Sequence, residues 1–333
     1  MAKNILTSVV TVLLMLMLLE LGAGIYLKDR NTQFLLNRSD YFPPGSKFIF
    51  DKEVGYKLKP YYRSQDISVN NLGFRSSKDF DSSNTFEKKK VLLLGDSMVF
   101  GIDCPQDGIF SEILNRQLPG YLFVNTGVAG YDLLQEYLVL KRYVDVIKPE
   151  LVLLFFFQPN DMWHIIRKDD FKPHSFIKDK EFFISEVEDK VNLKFYKKSK
   201  LYQLVVFDWL RGRDLFYLWE YLDFYIFTEK SYVWRVTDEI IRRIGGLSQQ
   251  KKFKVVVFDI QGPYPRGLKT RRKLLRQAVH RENFLYYELD RYYPSDPGKL
   301  FLPDKVHWNK EGHEFVAGII KDNLRHFYQW TSF

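Results

Sequence analysis

Cysteine is almost absent: Cys104 stands alone in 333 residues. That excludes an intramolecular disulfide framework and any multi-cysteine zinc site, and it leaves the redox compartment open. There is no internal repeat and no low-complexity tract. With 46% apolar and 27% charged residues, the chain can bury a core, which excludes a mostly disordered protein, a collagen-like chain and a low-complexity array. Acidic residues are the scarcer charge, 41 against 50 basic, for a net charge of +9. Such an excess fits an anionic membrane surface, a polyanionic glycan or nucleic acid. The densest basic run, Arg266 to Arg276, has no nucleic-acid-binding motif beside it. It reads as a solvated helix face, and no nucleic-acid partner is expected.

Long hydrophobic runs are equally scarce, with one exception. Ile5 to Leu27 is 23 residues with a single ionisable group, Glu20. At about 1.5 Å per residue it is long enough to cross a hydrocarbon core with some tilt. No polar face is present. Lys3 precedes the run and Lys28 and Arg30 follow it, so the basic flanks do not set an orientation. A second reading is a cleaved signal peptide with Gly22-Ala23-Gly24 as the small-residue site. The absence of a following cysteine argues against a lipoprotein. The run exceeds the usual signal core of about 7–15 residues, which favours an uncleaved anchor over residues 1–27.

Residues 28–89 read as an irregular lead-in packed on the domain that follows. Pro43-Pro44, Gly45, Pro60, Asn70-Asn71 and Gly73 break it into short extended pieces. From residue 90 the pattern changes. Short, continuous apolar runs predict buried strands at Lys90–Leu94, Tyr121–Val124, Leu151–Phe157, Lys254–Ile260 and, more weakly, Phe284–Leu289. Helical spacing predicts helices at Ile109–Leu118, Leu133–Ile147, Val233–Ile244 and Gly312–Phe327. Alternating strands and helices imply an α/β fold, a parallel sheet with helices on both faces, over residues 90–333. An insertion at about 165–232 interrupts it. Phe176–Phe195 has room for a small hairpin. Tyr196–Phe227 is unusually aromatic and reads as helical, either a lid or membrane-facing element or a second small core.

Four phrases carry chemistry, and all fall after apolar strands or in the last loop. Gly95-Asp96-Ser97 follows the first strand, at the carboxyl edge where open α/β sheets place their sites. Valine at position 99 excludes the Gly-x-Ser-x-Gly nucleophile elbow. Alone, the phrase reads equally as a turn whose serine caps a helix. Asp304 and His307 are three apart, so the carboxylate can fix one imidazole nitrogen and leave the other as a base. His313, inside the next helix, reads as structural. Asn125 to Gly130 offers backbone N–H groups in a glycine-permissive turn. Gln158-Pro159-Asn160-Asp161 offers a side-chain amide. Donors of both kinds suit an oxyanion.

Over residues 90 to about 327 these phrases resemble the SGNH or GDSL hydrolase superfamily. The resemblance implies a flavodoxin-like three-layer sandwich with about five parallel strands. It makes Ser97 the nucleophile, His307 the base and Asp304 its partner. It makes the N–H groups of Ser97 and Gly130 and the side chain of Asn160 the oxyanion hole. One departure stands out. The third block commonly has glycine two residues before the asparagine, and here Gln158 stands there, which is expected to narrow the pocket or move Asn160. In the lead-in, Val54-Gly55-Tyr56-Lys57-Leu58-Lys59-Pro60 and Asn71-Leu72-Gly73-Phe74-Arg75 are similar to phrases upstream of the catalytic block in membrane-anchored bacterial members. The implied setting is the cell envelope, with the domain periplasmic or otherwise extracytoplasmic. The implied activity is ester hydrolysis through an acyl-enzyme on an ester-bearing glycan or lipid, with no metal or organic cofactor needed. A glycan O-acetyltransferase on the same three residues and a non-catalytic envelope scaffold are the alternatives. Protein partners are not readable.

Overall fold

The computed structural model describes residues 2–28, 42–81, 87–162, 165, 172–178, 181–187, 199, 201, 227–263 and 269–330. The chain divides into two compact units, Met1–Pro43 with Glu188–Ile226, and Pro44–Val187 with Phe227–Phe333. The expected aromatic helices of Tyr196–Phe227 lie outside the described residues apart from Ser199, Leu201 and Phe227.

In the first unit, α1 (Ala2–Lys28) is one continuous helix. Its Glu20 carboxylate accepts the Ser199 hydroxyl at 2.7 Å and the Leu201 N–H at 2.9 Å. An ionisable group in an apolar helix is thereby given partners. The side chains described within α1 are those of Ser8 and of Val10 to Ile25. Among the described residues, no helix is long and apolar enough to cross a membrane.

The second unit opens with an antiparallel hairpin, β1 (Phe48–Asp51) and β2 (Gly55–Leu58). Then come β3 (Lys89–Leu94), the single turn α2 (Ser97–Phe100), α3 (Phe110–Gln117), β4 (Tyr121–Asn125), α4 (Leu133–Ile147), β5 (Leu151–Phe157) and the short α5 (Gln158–Asp161). A second hairpin follows, β6 (His174–Lys178) with β7 (Glu181–Ser185). The chain closes through α6 (Tyr232–Lys251), β8 (Lys254–Ile260), α7 (Lys269–Arg281), β9 (Leu285–Glu288) and α8 (Lys310–Gln329).

The main sheet has the order β4-β3-β5-β8-β9, and every pairing in it is parallel. Numbered within the sheet this is 2-1-3-4-5, the flavodoxin-like order, and the strand order reverses between β3 and β5. All seven residues of β5 are buried, as a central strand covered on both faces requires. Alternation sorts the two faces. Leu92, Leu94, Val152, Leu154, Phe156, Val255 and Val257 pack with α4, α6 and α7, while Val91, Leu93, Leu153, Phe155, Val256 and Phe258 pack with α3 and α8. The result is three layers.

The lead-in has no layer of its own: it buries Val54, Leu58, Val69 and Phe74 in the core on the α4 side and adds polar contacts. Arg142 of α4 reaches both Asp51 oxygens, at 2.9 and 2.7 Å, and Glu53. Gln135 of α4 donates to Val54 O at 2.7 Å. These bonds seat the β1–β2 hairpin along α4, from Gln135 to Arg142.

Candidate active site

Ser97 begins the turn that leaves β3, at the carboxyl edge and next to the reversal of strand order. Gly95 allows that turn to close: a Cβ there would fall 2.3 Å from Val99 Cγ2. Asp96 caps α2, accepting the Met98 N–H at 2.9 Å, and is fully buried. Ser97 keeps 6% of its surface exposed.

The last loop brings His307 to this serine. His307 Nε2 lies 2.9 Å from Ser97 Oγ, and its Nδ1 lies 2.6 Å from Asp304 Oδ2. The second Asp304 oxygen accepts the N–H groups of Val306 and His307, at 2.9 and 3.0 Å. Lys305 takes a left-handed conformation, φ +56°, to close this turn. The turn's ends are tied by Leu302 N to His307 O at 2.8 Å. With Nδ1 facing a carboxylate, Nε2 is the nitrogen left to accept the serine proton. Burial pushes the Asp304 carboxyl up, but the His307 hydrogen bond and the two backbone donors outweigh it, so the group lies below its usual range.

The turn after β4 lies against the nucleophile turn. Thr126 N donates to Leu93 O at 3.1 Å and Val128 N to Gly95 O at 3.3 Å. Asn125 pins it further, donating to Val99 O at 2.8 Å and accepting the Gly127 N–H at 3.0 Å. Gly130 takes φ +81°, a conformation L side chains rarely adopt. After β5, Asn160 sits in α5, where Asp161 accepts the Phe157 N–H at 2.6 Å. The Asn160 amide donates one hydrogen to Asp96 Oδ2. An amide NH2 has two, so one remains for a ligand. Gln158, the residue in the glycine position of the third block, turns inward and is 1% exposed. Its amide atoms are buried, and Asn160 still reaches Asp96 in the nucleophile turn.

Behind these groups lies a buried polar layer that the sequence motifs do not reveal. Lys172 Nζ donates to Gly130 O at 2.5 Å and pairs with Asp132 at 3.3 Å. Glu136 and Asp161 are buried, and both carboxyls are pushed well above their usual range, chiefly by desolvation and then by neighbouring carboxylates. Burial also raises Asp96, against the pull of the Met98 and Asn160 hydrogen bonds and of His307. A second hidden contributor is Arg75 of the lead-in. It is buried and donates to the carbonyls of Phe100, Gly101 and Cys104, which follow Ser97, at 2.8, 2.5 and 2.6 Å. The signal for it was Asn71–Arg75, a charged residue closing an otherwise uncharged phrase. His313 lies in α8, buried against Phe110 and Trp308.

No protein-family model matches the sequence, and neither does any curated protein sequence. Among solved structures the chain is similar to the psychrotrophic esterase EstA from Pseudoalteromonas sp., at 13% identity over 72% of this chain and 98% of that one, with a TM-score of 0.43. It is also similar to the acetyl xylan esterase AlAXEase, at 14% identity over 71% and 99%, TM-score 0.43. A third is a member of the lipolytic protein G-D-S-L family from Veillonella parvula, at 14% identity over 72% and 99%, TM-score 0.38.

Proposed function

We propose that the chain is a serine-dependent carboxylic ester hydrolase of the GDSL type. The carrying observation is the unbroken relay from Ser97 Oγ through His307 to Asp304, with links of 2.9 and 2.6 Å. Ser97 Oγ attacks the ester carbonyl carbon and its proton passes to His307 Nε2. Asp304 stabilises the imidazolium and holds its orientation. The N–H groups of Ser97 and Gly130 and the free Asn160 hydrogen receive the oxyanion. Collapse breaks the ester C–O bond, and His307 returns the proton to the leaving alcohol. Water then repeats the sequence on the acyl-serine, releasing the acid and restoring Ser97.

The substrate we propose is an ester-bearing glycan or lipid of the cell envelope, met by a domain tethered through α1 on the extracytoplasmic side. The apolar run Ile5–Leu27 and the net charge of +9 support this setting.

The test uses the full-length chain and p-nitrophenyl acetate. Ser97→Ala is expected to lower turnover by about 10⁴-fold or more, and unchanged turnover ends the hydrolase reading. Adding a glycan acceptor is expected to leave release unaffected. Acceleration with acetylated glycan as product would make the enzyme an O-acetyltransferase instead. The tether predicts that the chain sediments with membranes and stays there at alkaline pH.

A further inference from the structure

The phrase Val54 to Pro60 has no part in the relay, yet it ends at the oxyanion site. Tyr56 lies on β2, and its hydroxyl donates to Ala129 O at 2.9 Å. Ala129 C=O and Gly130 N–H belong to one peptide unit. Because that unit is planar and trans, its C=O and N–H point in opposite directions. A donor fixed on the carbonyl therefore fixes the direction of the N–H. It also polarises the amide, which makes the N–H a better donor.

We propose that Tyr56 is a positioning residue for the oxyanion hole, orienting the Ala129–Gly130 peptide toward the developing charge. The inference rests on the hydrolase reading given above.

Three observations support it. The hydroxyl occupies the space a side chain at position 130 would need, since a Cβ on Gly130 would lie 2.9 Å from Tyr56 Oη. The next peptide is held as well, by Lys172 on Gly130 O, so both peptides flanking the Gly130 Cα have fixed donors. Tyr56 itself is rigidly placed. Its ring meets Phe48 and Tyr131 edge-on, at 5.5 and 5.4 Å, and its carbonyl accepts the Tyr131 hydroxyl at 2.5 Å. The docking of the β1–β2 hairpin on α4 thus has a catalytic consequence: it delivers one hydroxyl to one peptide.

Tyr56→Phe removes that hydroxyl and keeps the ring. In the full-length chain with p-nitrophenyl acetate, kcat is expected to fall roughly five- to tenfold, the worth of one hydrogen bond, with KM within about twofold. Affinity for phenylboronic acid, which forms a tetrahedral adduct on serine, should fall by the same factor. For the variants that keep Ser97, turnover is counted per serine labelled to completion by a fluorophosphonate, so unfolded chains do not enter the comparison; Ser97→Ala is counted per chain folded by near-UV circular dichroism. Tyr143→Phe is the control. It deletes a hydroxyl that bridges α4 to the lead-in at Leu72 O, 3.3 Å away, and is expected to leave kcat within about twofold. A Tyr56→Phe enzyme with wild-type kcat overturns the proposal. So does an equal loss in the control, or a kcat loss without the boronate loss, because either marks general loosening. Ser97→Ala and Asn160→Ala run alongside: if they too keep full turnover, the hydrolase reading has failed and the proposal with it. If only Tyr56→Phe is silent, the proposal alone has failed.

Discussion

Ser97 and His307 are hydrogen-bonded neighbours, but the fold secures them in different ways. The nucleophile side is braced from a distance. Asp96 is fully buried beneath it, Arg75 grips three of the carbonyls that follow it, and Tyr56 and Lys172 reach the turn after β4 from 73 and 42 residues away in sequence. The base side is local. One aspartate, half in solvent at 45% exposure, is the only partner of the His307 ring nitrogens besides Ser97 among the described residues, and it also holds the backbone of the same turn. Long-range bracing makes geometry inseparable from folding, whereas a local turn can be disabled chemically without loosening the fold. Removing the base-side carboxylate should therefore cost rate and little stability, whereas removing the most deeply buried brace, Arg75, should cost stability first.

Asp304→Asn gives the largest separation. The amide oxygen can still accept from Val306 and His307 N–H, so the turn keeps its shape. What is lost is the charge and the acceptor that set the imidazole tautomer. Turnover on p-nitrophenyl acetate should drop on the order of 10⁴-fold, with the thermal midpoint almost unmoved. A loss below tenfold would show that His307 does not depend on Asp304, and a large drop in midpoint would show that the base side is braced like the other.

Arg75→Met should do the reverse. The guanidinium is buried, lies over the Phe100 ring at 4.8 Å, and also donates to Asp66 O at 2.8 Å. Burial, with neighbouring acids opposing, lowers its pKa to about 10, so it remains charged at neutral pH. Methionine fills part of the volume and removes the guanidinium donors from these carbonyls, of which Gly101 O keeps the Cys104 N–H. The expected cost is roughly 3–5 kcal/mol, that of breaking a buried charged hydrogen-bond cluster. Urea unfolding measures it. The fraction still folded at low temperature should retain turnover within about tenfold. A stability change below about 0.5 kcal/mol would remove Arg75 from the bracing.

This asymmetry also governs what the sequence discloses. The strands are legible because a strand buried on both faces is dominated by apolar residues: Leu151–Phe157, and Lys254–Ile260 despite its first residue and the buried, paired Asp259, are read from sequence with the same limits the structure has. The last helix is longer than its apolar periodicity indicates, starting at Lys310, because Asn309 caps it through Gly312 N. Gly95-Asp96-Ser97 and Asp304 to His307 are contiguous strings, so their local geometry is written in order. The bracing is not. Tyr56 and Ala129 are 73 positions apart, and Arg75 and Phe100 are 25 apart. Neither pairing follows from periodicity, because each depends on where an irregular segment comes to rest. The two lead-in phrases point, through their resemblance, to a setting, and not to the contacts they make. The inward turn of Gln158 is likewise a tertiary outcome: its neighbours in sequence do not say whether the amide faces the site or the interior.

The two sides meet at Gly101. A Cβ there would touch both Arg75 Nη1 and His313 Cε1, each at 3.3 Å. His313 follows the base turn and packs behind the nucleophile turn, so it reports on the seam between them. Burial, and then the Arg75 charge, lower its pKa to about 3 from 6.5. The unfolded chain takes up this proton near pH 6.5, whereas the folded chain refuses it until about pH 3. Between those values the unfolded state binds more protons, so acidification removes stability, by at most about 1.4 kcal/mol per pH unit. Buried Asp96, Glu136 and Asp161 act with the opposite sign. Their raised pKa values keep protons on the folded state after unfolded carboxyls have released theirs, so these groups favour the fold as pH falls. The wild-type curve is the sum of both effects, and His313→Leu separates them. The stability of wild type relative to the variant should decline steadily as pH is lowered from 6.5 to 4. Parallel curves over that range would mean that His313 accepts its proton inside the fold, and that the seam at Gly101 opens without unfolding.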